Sequence, residues 1–184
     1  DEFKQYLGIG QAGEGLIFLY LAYKFARPGG VIAFVLPRNV LAGVSWFLAR
    51  VLLASKFNVK YVIVSSDAEN GYNFSEGTSL RETLIVAKRV EEHKPGEETK
   101  FIILMKKPKS AIDAVILANE ILSNSAPYDV ARIVTVKRTD LLRNLDNWGL
   151  FVAFNDTELV KETVSVMRGN VCGINIPITL LNDI

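Results

Sequence analysis

Three groups of residues in this sequence have types and spacings that could do chemistry. Gly8, Gly10 and Gly13 in GIGQAGEG stand at the G-x-G-x-x-G spacing, whose glycines let a backbone turn approach a pyrophosphate at a helix N-terminus. Tyr72 and Phe74 lie between Gly71 and Gly77, where a ring can stack on a flat ligand or pack its loop onto the protein. Arg81, Lys88, Arg89, Lys106, Lys107 and Lys109 belong to a stretch with eight Lys or Arg between Arg81 and Lys109, enough to form a phosphate-binding face. The alternative is ordinary solvated charge on strand ends, and Lys137 and Arg138 read the same way.

The glycine spacing lacks the parts that give it its chemistry. A dinucleotide site needs a buried strand before the glycines and an acidic side chain about 20 residues on for the ribose. The preceding DEFKQYL is charged, and after Glu14 the next acidic residue is Asp67. The glycines therefore read as a flexible lead into a helix, and a dehydrogenase stands only as a third rival, which tight NAD binding by this stretch would favour. His93 has no catalytic or metal companion in its polar loop and reads as a surface residue. Cys172 is the single cysteine, so no intramolecular disulfide forms, and no Cys/His cluster could hold a structural zinc. The expectation is no metal and a reducing, cytoplasmic compartment. A net charge of +1 neither requires nor excludes nucleic acid. No apolar run reaches the roughly 18 residues of a membrane span.

The elements that must position these residues follow from apolar pattern and punctuation. At 184 residues and 49% apolar, the chain fits one domain, or one domain with a subordinate piece. Glu14 to Arg27 is a helix, apolar nearly all round and so buried against a sheet. Val31 to Leu36 reads as a central parallel strand covered on both faces and stopped at Pro37. Ser45 to Ser55 is the next helix, with Ser45 able to cap it. Asn58 to Ser66 and Ser79 to Arg89 are strands whose 12-residue connection is too short for a crossover helix, so they lie antiparallel. VEEHKPGEET marks a boundary. Lys100 to Lys107 is a strand, Ser110 to Ser123 an amphipathic helix and Ala131 to Val136 a strand. Beyond these, LLRNLDNWGLFVAF suggests a turn or short strand, with Trp148 as a structural anchor, and DTELVKETVSVM a helix.

ARPGGVIAFVLPRNVL at Ala26 to Leu41, followed by NFSEGTSLRETLIVAKR at Asn73 to Arg89, resembles the amino-methylating, adenine-specific DNA methyltransferases of restriction-modification and phage-defence systems. The resemblance spans Gly13 to Arg89 and continues more loosely through FIILMKKPKSAIDAVILANEIL and DNWGLF. It implies an α/β fold: the second half of a class I, Rossmann-like, S-adenosylmethionine-dependent methyltransferase sheet with an antiparallel terminal hairpin, then an α+β connector. Residues 1–90 would form the carboxy-terminal half of the catalytic domain, and residues 91–184 would lead toward a target-recognition domain. The resemblance also implies that Phe74 stacks on a flipped base, that Pro37 and Asn39 shape the pocket wall, and that Arg81, Lys88, Arg89, Lys106 and Lys107 face the DNA backbone.

The family's Asn-Pro-Pro-aromatic motif is absent from this chain, as are its cofactor-binding loop and acidic residue. The sequence, which begins with Asp1, is therefore expected to be a fragment without catalytic or cofactor-binding residues of its own. In the longer parent, S-adenosylmethionine would be the cofactor, double-stranded DNA the substrate, and a specificity or restriction subunit a candidate partner. The rival readings are an RNA or protein-amide methyltransferase of the same fold and a noncatalytic binding or assembly module.

Overall fold

ARPGG ends the first helix with a tight turn. Gly30 N–H donates to the Arg27 carbonyl at 2.8 Å, with Pro28 at the position its fixed φ suits. Gly29 follows at φ +79°, the left-handed conformation that such a turn asks of a glycine. In this computed structural model, residues 13–66, 74, 75 and 81–153 are described. Helix α1 (Gly13–Phe25) precedes the turn and strand β1 (Val31–Pro37) follows it. A short 3-10 turn at Arg38–Leu41 and another at Val44–Trp46 lead into α2 (Phe47–Lys56). Ser45 lies inside the second turn, and Trp46 occupies the N-cap of α2 without a side-chain hydrogen bond.

Strands β2 (Phe57–Ser65), β3 (Glu82–Arg89), β4 (Glu98–Leu104) and β5 (Ala131–Lys137) complete a five-stranded sheet in the order β1-β3-β2-β4-β5. As the short connection requires, β3 runs antiparallel to β2, and it also runs antiparallel to β1. It is thus inserted between two strands of common direction, which β4 shares by pairing parallel to β2. β5 returns antiparallel to β4. Helix α3 (Ala111–Leu122) joins β4 to β5 and is capped by Ser110, whose side chain accepts from Asp113 N–H at 3.1 Å. The DNWGLF region forms short helices, α4 (Arg138–Arg143) and α5 (Leu150–Ala153), with Trp148 buried between them.

Each face of the sheet has its own core. On one face Leu16, Leu19 and Leu53 from the helices meet Leu36, Ile85, Phe101 and Val136 from the strands, with Trp148. On the other, Leu117 and Ile121 of α3 meet Ile102, Leu104 and Ala131. β2 serves both faces by means of a bulge between Val59 and Tyr61. The extra residue shifts the alternation, so Phe57, Val59, Val62 and Val64 all face the first core while Tyr61 and Ile63 face the second.

Two expectations are corrected. β1 is not a central strand in this chain: among the described residues it pairs with β3 alone, and Val31 is 66% exposed. Val31, Ala33 and Val35 are exposed because they point to a face of the sheet that no described helix covers at β1. Helix α1 is likewise covered along one stripe, Leu16, Leu19 and Tyr20, while Phe18 and Phe25 are exposed. The chain up to Val152 forms one compact unit, and the second begins at Ala153. The helix expected over DTELVKETVSVM, Cys172, Tyr72 and the Gly8–Gly10 stretch lie outside the described residues. Among the described residues no helix is long and apolar enough to cross a membrane, and no cluster of His, Cys, Asp and Glu could hold a metal.

Candidate nucleic-acid interface

β1, β2 and β4 share a direction, so their carboxyl ends lie along one lip of the sheet. Pro37 pairs with Glu82 at the start of β3, Ser65 with Leu104, and Leu104 with Ala131 at the start of β5. This lip is where open α/β sheets place their ligands, because loops rather than further strand fill the space beyond it. It gathers Pro37, Arg38, Asn39, Arg81 and Lys106, together with Phe74 from the loop that leaves β2 and returns to β3.

Arg38 follows directly on Pro37, and its backbone N–H donates to the Arg81 carbonyl at 2.7 Å. Its guanidinium reaches across the strand ends, with Nη1 3.4 Å from the Ser65 carbonyl. Burial lowers the Arg38 pKa, and the neighbouring Arg81 charge lowers it further. Among the described residues, neither guanidinium has a carboxylate partner. Asn39 is exposed in the 3-10 turn, where its carbonyl accepts from Gly43 N–H at 2.7 Å. Its side chain crosses Gly43 so closely that a Cβ there would lie 2.6 Å from Asn39 Oδ1.

The turn carrying these residues is fixed from beneath by Arg50, which is only 1% exposed. Its Nη1 donates to the carbonyls of Val40 at 2.7 Å and Gly43 at 3.1 Å. Its Nε and Nη2 donate to Leu145 O at 2.5 Å and Asp146 O at 3.1 Å. Burial pushes the Arg50 pKa down to about 10 while Asp146 pulls it up, so the group stays charged at neutral pH. Trp148 adds a second tie, its backbone N–H donating to Leu41 O at 2.7 Å and its indole Nε1 to Leu141 O at 3.1 Å. The expected anchoring role of Trp148 thus has a concrete form.

Phe74 is half-buried against the core beneath α3, and the next residue is pinned by Ser75 N–H donating to Glu82 Oε2 at 2.8 Å. Of the cations read as facing DNA, Arg81 and Lys106 stand at the lip. Lys106 pairs with Asp129 at 2.5 Å in the open, and Lys107 lines a neighbouring cleft of about 300 Å³ with Lys109, Asp113 and Glu120. Lys88 and Arg89 lie at the opposite end, opposite Val31 and Phe57 in the strand register. Arg89 is occupied there, donating to the Ala26 carbonyl and stacking 5.0 Å from the Tyr23 ring centroid. The six candidates of the sequence therefore do not form one face.

His93 is not the simple surface residue its loop suggests. Its Nδ1 lies 2.6 Å from Glu97 Oε2 and its Nε2 3.1 Å from the Ser55 carbonyl, tying the loop before β4 to the end of α2. Burial raises the Glu97 pKa, but hydrogen bonds from His93 and the Lys94 backbone, with the charges of His93 and Arg138, bring it below its ordinary value. Sequence reasoning also missed Arg38 and Arg50. The signal for Arg50 was a lone charge inside FLARVLLAS; for Arg38 it was a cation next to a strand-ending proline.

No protein-family model matches the sequence, and comparison with curated proteins gave no match. Solved structures do resemble it. A methyltransferase subunit of a type I restriction-modification system from Streptococcus thermophilus superposes with a TM-score of 0.57 at 21% identity, over 80% of this chain and 32% of that one. The fold is methyltransferase-like. The type IIG restriction endonuclease BpuSI shares it at TM-score 0.58 and 16% identity, over 87% of this chain and 18% of that one. A further chain, from a type I restriction-modification system, gives 0.54 at 16% identity, over 91% and 39%. The protein thus spans between 18% and 39% of the length of these three neighbours.

Proposed function

We propose that this chain is the carboxy-terminal part of the catalytic domain of an adenine-specific DNA methyltransferase of restriction-modification type. On this reading residues 1–90 complete a class I sheet and residues 91–184 lead toward target recognition. The observation that carries the proposal is the order β1-β3-β2, with antiparallel β3 inserted between strands of common direction and β1, apolar on both faces, at the edge of the sheet that the described residues form. A strand of that composition belongs inside a sheet, so the edge of β1 is where the rest of the domain would join. The fold shared with a type I methyltransferase subunit supports the same reading, as do the sequence features of Ala26 to Arg89.

In this account Pro37 and Asn39 form the pocket wall, and Phe74 stacks on a base turned out of the duplex, held in place by its seat on the core beneath α3. S-adenosylmethionine carries a sulfonium and a ribose diol, which call for carboxylate partners. The guanidiniums of Arg38 and Arg81 at this lip do not fit those two groups. Cofactor binding and orientation of the amine are assigned to the longer protein, which would be cytoplasmic and would act with double-stranded DNA and a specificity or restriction subunit.

The test is base analysis of DNA treated with the full-length protein. N6-methyladenine should accumulate, and Phe74→Ala should reduce transfer while Phe74→Tyr retains more, since stacking contributes about 1–3 kcal/mol per base. Methylation of another base or of RNA would overturn adenine specificity, and unchanged kinetics for Phe74→Ala would remove Phe74 from the site.

A further inference from the structure

We infer that Arg38 and Arg81 together form an anion site for a single phosphodiester group at the lip, beside the Pro37–Asn39 pocket wall. The inference rests on the DNA reading above for the identity of the ligand, but on geometry for the site. Arg38 is half-buried, and the side-chain hydrogen bond it makes among the described residues, Nη1 to the Ser65 carbonyl at 3.4 Å, is long. A guanidinium carries five N–H donors in a rigid fork and does not shed its charge. Arg38 is drawn partly out of water, with the Arg81 charge nearby and no carboxylate partner among the described residues, and both burial and that charge disfavour its ionised form. An anion lying between the two would remove both costs.

The contrast with Arg50 of α2 and Arg89 of β3 is direct. Arg50 spends its donors on four backbone carbonyls, and Arg89 on a carbonyl and an aromatic ring. Both are structural. Arg38 and Arg81 are tied through the backbone, by the 2.7 Å hydrogen bond from Arg38 N–H to Arg81 O, while their side chains are left to act. The Arg50 hub fixes the turn that follows Arg38, which limits how far the backbone beneath Arg38 can shift on binding. A guanidinium fork takes the paired oxygens of a phosphate or a carboxylate alike, so the choice of a phosphodiester comes from the DNA reading above.

The experiment uses the full chain with two probes, a fluorescein-labelled DNA duplex followed by anisotropy over a range of salt, and inorganic pyrophosphate followed by calorimetry. Arg38→Gln and Arg81→Gln should each weaken both probes about ten-fold, the loss of one charge-assisted contact. Each should reduce the salt slope for DNA by about one. The double variant should lose less than the product of the singles, because both contact one group, and Arg38→Lys should recover only part. Lys94→Gln, at the other end of the sheet, should bind both probes as the unaltered chain does. Thermal unfolding should show the Gln variants as stable as the parent sequence or more so, since repulsion is relieved. Loss of pyrophosphate binding alone, with the duplex unbound or unaffected, would uphold the anion site and sink the DNA reading. Gln variants that bind like Lys94→Gln, failure of the unaltered chain to bind pyrophosphate, or a fall in melting temperature marking Arg38 as structural would each overturn the inference.

Discussion

Arg50 carries its charge to a place with almost no water and finds four carbonyls there. Replacing it with Met keeps much of the stem and strands those acceptors. Arg50→Met should therefore cost about 3 kcal/mol, the scale of hydrogen bonds to a charged group, read from the midpoint of urea unfolding. Glu97 makes a prediction in pH. Its folded pKa lies below 4.5 because His93 and the Lys94 backbone hydrogen-bond to it and His93 and Arg138 supply positive charge, against the opposing effect of burial. The stability this contributes is present above pH 4.5, and is lost as pH falls from there through the folded value. Glu97→Gln should flatten the acid side of a stability-against-pH curve while leaving alkaline stability unchanged in shape. None of this was legible residue by residue: a guanidinium inside an apolar helix declares that a partner exists, but the partners are backbone carbonyls, which carry no residue type.

At the scale of elements the sequence said more, and its misses have a common cause. The turn at Arg27–Gly30, the antiparallel β2–β3 pair and the Ser110 cap all depend on neighbours within a few residues or on one connection length, and all are present. What failed was burial. β1 and α1 have the composition of covered elements, yet much of what would cover them is not among the described residues. The exposed face of β1 yields a prediction: Val35→Lys should change unfolding free energy by about 0.5 kcal/mol or less and reduce self-association in sedimentation, because an apolar open edge is a template for pairing. Phe34, on the covered face, should not tolerate the same change. Gly43 separates stability from function. The nearest atoms a methyl group there would meet are those at the end of the Asn39 side chain, which is exposed and can swing away. Gly43→Ala should leave thermal stability nearly intact while lowering methyl transfer by the full-length protein; an unchanged rate would remove Asn39 from the pocket wall.

For the whole molecule, the resemblance read from Ala26 to Arg89 and the superposition with restriction-modification chains agree on a fold at identities of 16% to 21%. They agree because topology survives where side chains do not. Most residues of the lip were named from the sequence, Pro37, Asn39, Phe74, Arg81 and Lys106 among them, but strand register was needed to separate Arg81 from Lys88 and Arg89, seven and eight residues away at the other end of β3.

The Arg50 hub also orders events in time. Its carbonyl partners at Leu145 and Asp146 lie 95 and 96 residues further along the chain, so during synthesis at about 5–20 residues per second they emerge roughly 5–20 s after Arg50 itself. Until then the turn bearing Arg38 and Asn39 lacks half of its support. The strands can pair early, but the binding edge matures last, so a nascent chain arrested before Leu145 should be folded in outline and still unable to hold its ligand.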